Sequence, residues 1–194
     1  MEWINGKSTN KTIKNDRGVA SIHYNGAKVL KTTILTWPPN LLMGAKNRQG
    51  SYFGTKSGTL EAVGLLLPFL SYPEFLECKH VLLQVDNTSL IYGWEKRYCK
   101  NDAETSLLIR TLHVIESLLC CKIYIKHVKR CSTPMAKLVD QLSRKSTTTS
   151  KTLSKIAGSK IFLPTGSIYD WLTNPVLDWS LPEKIVHEIK NMLK

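Results

Sequence analysis

The order of strand-like and helix-like stretches constrains the fold of this chain most strongly. VASIHYNGAKVLKTTILTW predicts two strands joined at Asn25-Gly26, because Asn-Gly is the strongest short signal for a β-hairpin. MEWIN, before it, predicts one more strand. Beyond a loop rich in Gly, Pro and Lys, the remaining signals are a helix in TLEAVGLLLPFLSY, a strand in HVLLQV, helices in TSLIYGWEKRYCK and DAETSLLIRTLHVIESLLC, a strand in KIYIKHV and a helix in TPMAKLVDQLSR.

The resulting order, β-β-β-α-β-α-α-β-α, predicts an α/β fold with a mixed five-stranded sheet and helices on its faces. Within the first helix, Pro68 is expected to bend the helix or end it. The third helix is amphipathic and has Asp102 at its start. Its apolar stripe consists of Leu107, Leu108, Leu112, Ile115, Leu118 and Leu119.

The composition changes near residue 145, which divides the chain into a predicted domain, 1–145, and a linker with a C-terminal extension, 146–194. RKSTTTSKTLSKIAGSK is rich in Ser, Thr and Lys and predicts a linker. The extension is a helical appendage that ends in an amphipathic helix, whose apolar side needs either the domain itself or a missing neighbour to pack on. The apolar positions are Ile185, Val186, Ile189, Met192 and Leu193.

The charge balance favours a polyanionic partner. The chain has 27 Lys and Arg against 15 Asp and Glu, a formal net charge of +12, and 42% hydrophobic residues indicate a globular composition. Nucleic acid is the first expectation and a membrane surface the second, and a basic protein without such a partner is the alternative. Because no apolar run approaches the roughly 20 residues of a membrane span, and the N-terminus has no signal-peptide pattern, we expect no membrane segment.

The cysteines indicate neither a disulfide framework nor a zinc site. There are five of them, an odd number, and no pair has C-x-x-C spacing. Reduced thiols in an intracellular protein, in the cytoplasm or the nucleus, are the simplest interpretation.

Three carboxylates occupy positions that invite a common explanation. Asp86 ends the predicted strand HVLLQV, Glu61 lies in the first turn of the helix before that strand, and Asp140 lies among apolar residues of the last core helix. Each has a structural alternative, since Asp86 can cap the next helix, Glu61 can answer a helix dipole and Asp140 can belong to a solvated face. Together, at these topological positions, they predict a joint site.

The same order of elements and acids resembles the ribonuclease H fold, in particular the ribonuclease H-like domain that follows the polymerase in retroelement reverse transcriptases. LEAVGLLL matches the family's first-helix Glu, and VLLQVDNTSLIYGW matches its strand-end Asp. IKHVKRCSTPMAKLVDQLSR is similar to the family's closing segment, a His-Val-x-Arg strand end before a helix that carries Asp and ends in Leu-Ser-Arg. The resemblance covers about residues 1–145, and the extension weakly resembles those of DIRS-like retroelements.

This resemblance implies an endonuclease that hydrolyses the RNA strand of an RNA–DNA hybrid. Family members use two Mg²⁺ ions, or Mn²⁺ in their place, to activate the attacking water and stabilise the leaving oxygen. Carboxylate oxygens suit such hard cations. By carry-over, Glu61, Asp86 and Asp140 are the expected catalytic metal ligands. The expected partners are an RNA–DNA hybrid or other nucleic acid and an adjacent polymerase domain.

The first strand departs from the family pattern. In WINGKS, Asn5 stands where the family has a metal-bridging Asp, so it offers a carbonyl oxygen without the negative charge. Metal binding and catalysis should both fall. Asn5 is then either an engineered change that blocks cleavage or the mark of a natural domain that binds without cutting. A third account is that the strand is misaligned and Asn5 is an ordinary turn residue.

Candidate nucleic-acid contacts come from two places. Asn87 and Ser89 follow the catalytic strand and are candidate donors to the substrate, or they only cap the following helix. The loop GAKNRQGSYFGTKSG either lies on the hybrid or is an ordinary surface loop. Its basic candidates are Lys46, Arg48 and Lys56.

Overall fold

The computed structural model describes residues 18–37, 57–100, 102–144, 160–162, 166–174 and 177–194. Its architecture is α/β, as predicted. The strands are β1 (Gly18–Asn25), β2 (Lys28–Thr36), β3 (His80–Val85), β4 (Lys122–His127) and β5 (Lys160–Phe162). The helices are α1 (Ser57–Ser71), α2 (Thr88–Lys96), α3 (Ala103–Leu118), α4 (Pro134–Arg144), α5 (Ser167–Thr173) and α6 (Leu181–Met192), with a short 3₁₀ turn at Pro73–Phe75.

The predicted hairpin forms at the Asn-Gly turn. β1 and β2 pair antiparallel, and Asn25 lies opposite Lys28 across the turn. Gly26 adopts a φ of +57°, the left-handed conformation that glycine tolerates best. β5 adds to the free side of β2 in parallel and begins at Lys160. Lys160 is the last residue of the stretch predicted as a linker, so β5 was not predicted. A strand of three residues after a Ser/Thr/Lys-rich stretch leaves too short an apolar pattern to recognise.

A second sheet consists of β3 and β4, which run parallel with Val85 opposite His127. Within the described residues the strands therefore form a three-stranded sheet, β1-β2-β5, and a two-stranded sheet, β3-β4. The predicted first strand, MEWIN, lies outside the described residues. One side-chain contact links the two sheets, since the Tyr24 hydroxyl donates a hydrogen bond to Oε1 of Gln84 at 2.7 Å.

Helices cover both faces of the hairpin, as the sequence predicts. On one face, Val19 and Leu35 pack into the main core with α1, where a Cβ added at Gly64 would lie only 2.7 Å from Val19. That close approach explains why the helix has a glycine there. On the other face, Ala20 and Ile34 pack against α4. The alternation of β1 and β2 side chains between these faces is the two-residue period of a strand.

The main core forms around α1 and α3. The predicted stripe on α3 is buried apart from Leu118, which is half-buried. Asp102 caps the helix by accepting a hydrogen bond from the Thr105 amide at 3.0 Å. Pro68 does not end α1, because the helix continues to Ser71.

The C-terminal helices pack on the domain itself and not on a missing neighbour. Ile185 and Ile189 of α6 are fully buried in the same core as α1 and α3, and Trp171 of α5 joins them. Met192 is 43% exposed, so the predicted apolar side of α6 is only partly covered. No helix among the described ranges is both long and apolar enough to span a membrane.

Candidate functional site

The candidate site lies where β3 and β4 end. The carboxyl ends of two parallel strands meet at one edge of their sheet, so the residues that follow them come close together. Asp86 follows β3 directly, and Arg130 lies in the turn between β4 and α4. The Arg130 Nε donates a hydrogen bond to Asp86 Oδ2 at 2.6 Å.

This ion pair explains how the carboxylate of Asp86 is accommodated at the end of an apolar strand. The Asp86 side chain is 28% exposed and that of Arg130 is 44% exposed, so the charge pair is half-solvated. Asp86 is not the cap of the next helix. Asn87 is the cap, with Oδ1 accepting from the Ser89 amide at 2.9 Å. Asn87 therefore has the predicted capping role and Asp86 does not. The Ser89 side chain is exposed beside this cap, and substrate contact by Asn87 and Ser89 stays a prediction.

Glu61 reaches the same region from α1. The helix begins at Ser57, so Glu61 starts the second turn and does not lie in the first turn as predicted. Its carboxylate accepts a hydrogen bond from the Asn87 side chain, which opposes the rise of its pKa. Burial is the main cause that raises the pKa of Glu61, and the negative charge of Asp86 adds to it. Oε2 of Glu61 is buried and has no hydrogen-bond partner among the described residues.

Asp140 approaches the cluster from α4. The hydrogen bond that Arg130 donates to Asp86 is the largest cause that raises the pKa of Arg130, and the negative charges of Asp86, Asp140 and Glu61 raise it further. All three predicted carboxylates thus lie close enough to act on one guanidinium. We name Glu61, Asp86, Asp140 and Arg130 the carboxylate–arginine cluster.

Helix starts surround this cluster. The hydroxyls of Thr59, near the start of α1, and Thr105, near the start of α3, form a buried hydrogen bond of 2.9 Å. Asn87, at the start of α2, approaches Gly58 of α1. Because the amino-terminal end of a helix has a partial positive charge, these three helix starts favour negative charge in their neighbourhood.

Four predicted site residues lie outside the described residues: Asn5, Lys46, Arg48 and Lys56. Their proposed roles remain predictions. Over the ranges that the structure describes, no group of three or more His, Cys, Asp or Glu side chains is arranged to hold a metal ion. Asp86 instead hydrogen-bonds to Arg130, and the negative charges of Glu61 and Asp140 favour the charged guanidinium.

Sequence reasoning missed Arg130 as a site residue. A signal was available, because Arg130 follows one of two neighbouring parallel strands and Asp86 follows the other. The register pairs Val85 with His127, which places the turn after β4 beside Asp86. A basic residue in that turn is well placed to neutralise a strand-end acid. The spacing alone, however, does not distinguish Arg130 from Lys129.

Comparison with family models, with curated proteins and with solved structures finds no match for this chain. The resemblance noted above therefore depends on the quoted motifs, and the geometry of the cluster has to support any function on its own.

Proposed function

We propose that this chain is a ribonuclease H-like nuclease domain of a retroelement reverse transcriptase, acting on the RNA strand of an RNA–DNA hybrid and impaired by Asn5. The supporting observation is that Glu61, Asp86 and Asp140, on three different elements, act on one guanidinium where parallel strands end. Side chains that perform metal-assisted hydrolysis need such convergence of oxygen ligands.

The contact between Tyr24 and Gln84 supports a proposal in which the two described sheets belong to one core sheet. Two strands with one strand between them lie about 10 Å apart, since neighbouring strands are spaced at about 4.8 Å. A tyrosine and a glutamine that meet end to end can span that distance, and the polar atoms of Tyr24 and Gln84 meet at 2.7 Å.

The proposed ligands are carboxylate and amide oxygens, the ligand type that hard divalent cations prefer. Oε2 of Glu61 is buried and has no hydrogen-bond partner among the described residues, so it can accept a further ligand. Burial is the main cause that raises the pKa of this carboxyl, and a bound cation would favour its ionised form. Glu61, Asp86, Asp140 and the carbonyl oxygen of Asn5 would hold two Mg²⁺ or Mn²⁺ ions. When bound, these ions supply an activated water and stabilise the leaving oxygen.

The remaining side chains bind and orient the substrate in this proposal. Arg130 is partly exposed, so its free N–H donors can meet a substrate phosphate while Nε remains on Asp86. Asn87 holds Glu61 in place and begins α2 beside the hybrid. Lys46, Arg48 and Lys56 would contact phosphates further along the backbone, in keeping with the net charge of +12.

A second candidate is a non-catalytic nucleic-acid-binding domain with the same fold. The pairing of Arg130 with Asp86 favours it, because the guanidinium engages an oxygen that a metal ion would otherwise use. The neutral side chain of Asn5 also favours this second candidate. In that case the domain would bind hybrid beside a polymerase domain without cutting it.

Cleavage and binding assays separate the two candidates. The chain and its Asn5→Asp variant would be incubated with labelled RNA–DNA hybrid, duplex DNA and duplex RNA, with and without Mg²⁺. The nuclease proposal expects hybrid cleavage by Asn5→Asp only with the metal. The binding proposal expects salt-sensitive hybrid binding by both chains and cleavage by neither. The nuclease proposal fails if Asn5→Asp binds hybrid and Mg²⁺ without cutting.

A further inference from the structure

Two cysteines lie side by side at the end of the β3-β4 sheet that is opposite to the carboxylate–arginine cluster. Cys78 comes two residues before His80, and Cys120 comes two residues before Lys122. His80 and Lys122 are register partners in the parallel pair. Cys78 and Cys120 therefore lie in the turns that lead into these two neighbouring strands.

Backbone hydrogen bonding fixes the separation of the pair. The Cys78 amide donates to the carbonyl oxygen of Leu119 at 2.9 Å, and Leu119 is bonded directly to Cys120. Standard backbone dimensions then hold the two Cα atoms within about 7 Å of each other. Disulfides join Cα atoms roughly 4.4–6.8 Å apart, so this upper limit is compatible with a bond between the two cysteines.

Both cysteines have a left-handed backbone conformation, for which glycine or asparagine is the usual residue. Cys78 has a φ of 54° and Cys120 a φ of 48°. Cys120 follows Leu119, the C-cap of α3, at the position where a left-handed glycine or asparagine ordinarily ends a helix. A side chain other than glycine there costs stability, and such outliers concentrate at functional positions.

The thiols of the pair are accessible, while a third thiol beside them is not. Cys78 and Cys120 are exposed and Cys121 is buried. Burial is the main cause that raises the pKa of Cys121 to about 11, and the neighbouring Glu116, Cys120 and Cys78 also contribute. Because the thiolate is the reactive form, Cys121 is the least reactive member of the group.

We propose that Cys78 and Cys120 form a reversible intrachain disulfide by exchange with a small-molecule disulfide such as oxidised glutathione. One cysteine thiolate attacks a glutathione sulfur, which forms a mixed disulfide and releases one glutathione thiolate. The second cysteine thiolate then attacks the protein sulfur of the mixed disulfide and releases the other glutathione. The two protein thiols lose two electrons and two protons, and oxidised glutathione gains both to give two reduced molecules.

The bond would tie the start of β3 to the end of α3. The chain between the two cysteines includes Asp86 and all of α2, so the closed loop contains part of the carboxylate–arginine cluster. Closing a loop of this size restricts the unfolded chain, which raises the melting temperature of the oxidised protein by roughly 5–10 °C.

Mass spectrometry after equilibration in oxidised and reduced glutathione tests the proposal. The full chain would be quenched with a thiol alkylating agent and digested with trypsin, which releases residues 57–79 and 111–122 as the two cysteine-bearing peptides. We expect these two peptides to be joined by a disulfide in monomeric protein, with Cys121 alkylated. Dithiothreitol should release them.

Matched variants assign the bond. Cys78→Ser and Cys120→Ser should each abolish the cross-link, and Cys131→Ser and Cys121→Ala should leave it in place. A Cys120–Cys121 bond, a bond between two chains, a cross-link that persists in Cys78→Ser, or no cross-link at any glutathione ratio would each overturn the proposal. If a variant does not fold, the disulfide-linked peptides of the unmodified chain show directly which cysteines are joined.

Discussion

Arg130 donates from Nε to Oδ2 of Asp86 at 2.6 Å, and through this contact the turn after β4 is joined to the end of β3. Glu61 and Asp140 add their negative charges to the same guanidinium. The positive charge of Arg130 therefore offsets part of the repulsion among these carboxylates, and both side chains of the Arg130–Asp86 pair are partly exposed.

Replacing Arg130 should change the protonation of Glu61. The guanidinium opposes the rise of the pKa of Glu61, so Arg130→Gln should shift that pKa further upwards. A titration of side-chain carboxyl signals by nuclear magnetic resonance would measure it. Arg110→Gln, on the exposed side of α3, removes the same charge away from the cluster and should leave the pKa of Glu61 unchanged. An equal shift of the Glu61 pKa in the two variants would show that Arg130 does not act on Glu61.

Glu61 should make stability depend on pH. Burial first, and then Asp86, raise the pKa of Glu61 above 4.5, so the folded protein binds this proton more readily than the unfolded chain. Ionised Glu61 therefore disfavours folding, an effect that is absent at low pH and grows as pH rises through the raised pKa. In urea denaturation, Glu61→Gln should raise the free energy of unfolding over that of the parent chain more at pH 7 than at pH 4.

The control for this pH effect is Glu95→Gln, at an exposed position of α2. Its effect on the free energy of unfolding should stay within about 0.5 kcal/mol at either pH. A stabilisation by Glu61→Gln that is equal at both values, or larger at pH 4, would show that Glu61 is not destabilised by ionisation.

Asn87 is expected to support the cluster and α2 together. Asn87→Ala removes the cap on the Ser89 amide and the hydrogen bond to Glu61, and should lower the free energy of unfolding by about 1 kcal/mol. Asn87→Asp keeps the cap but replaces the donated hydrogen bond by a negative charge, so it should raise the pKa of Glu61 more than Asn87→Ala does. The reverse order of these pKa shifts would argue against the contact.

The C-terminal extension should stabilise the whole domain. Ile189 is fully buried in the main core, so Ile189→Ala should lower the free energy of unfolding by about 2–5 kcal/mol. Met192, on the same helix and 43% exposed, is the control, and Met192→Ala should cost less than about 1 kcal/mol. A small effect of Ile189→Ala in thermal or urea unfolding would mean that α6 packs only loosely.

Local signals account for most of the correctly predicted fold. Asn25-Gly26 specifies a hairpin because few other pairs tolerate that turn, and the stripe on α3 with Asp102 before it specifies an amphipathic helix. Pro68 was expected to bend the helix or end it, and it does not end the helix, because α1 continues to Ser71. β5 was missed because three residues leave too little pattern, and its pairing with β2 depends on distant chain.

The sequence indicates the carboxylates of the candidate site but not Arg130, their basic partner. Asp86 stands out as a charge at the end of an apolar strand, and Glu61 and Asp140 follow from their topological positions. The pairing of Arg130 with Asp86 depends on the parallel register of β3 and β4, which sequence periodicity does not report. Likewise, only the folded structure shows that Asn87 contacts both the Ser89 amide and Glu61.

Magnesium-dependent cleavage of a labelled RNA–DNA hybrid by Asn5→Asp tests the central claim most directly. The account predicts that cleavage appears or rises at least about tenfold over the parent chain, because Asn5→Asp supplies the negatively charged metal ligand that the proposed mechanism requires. It also predicts that adding Asp86→Asn abolishes cleavage, whereas adding Glu95→Gln, which removes one exposed carboxylate from α2, does not. If Asn5→Asp cuts no better than the parent chain with hybrid and metal both bound, the chain is not a nuclease lacking one ligand.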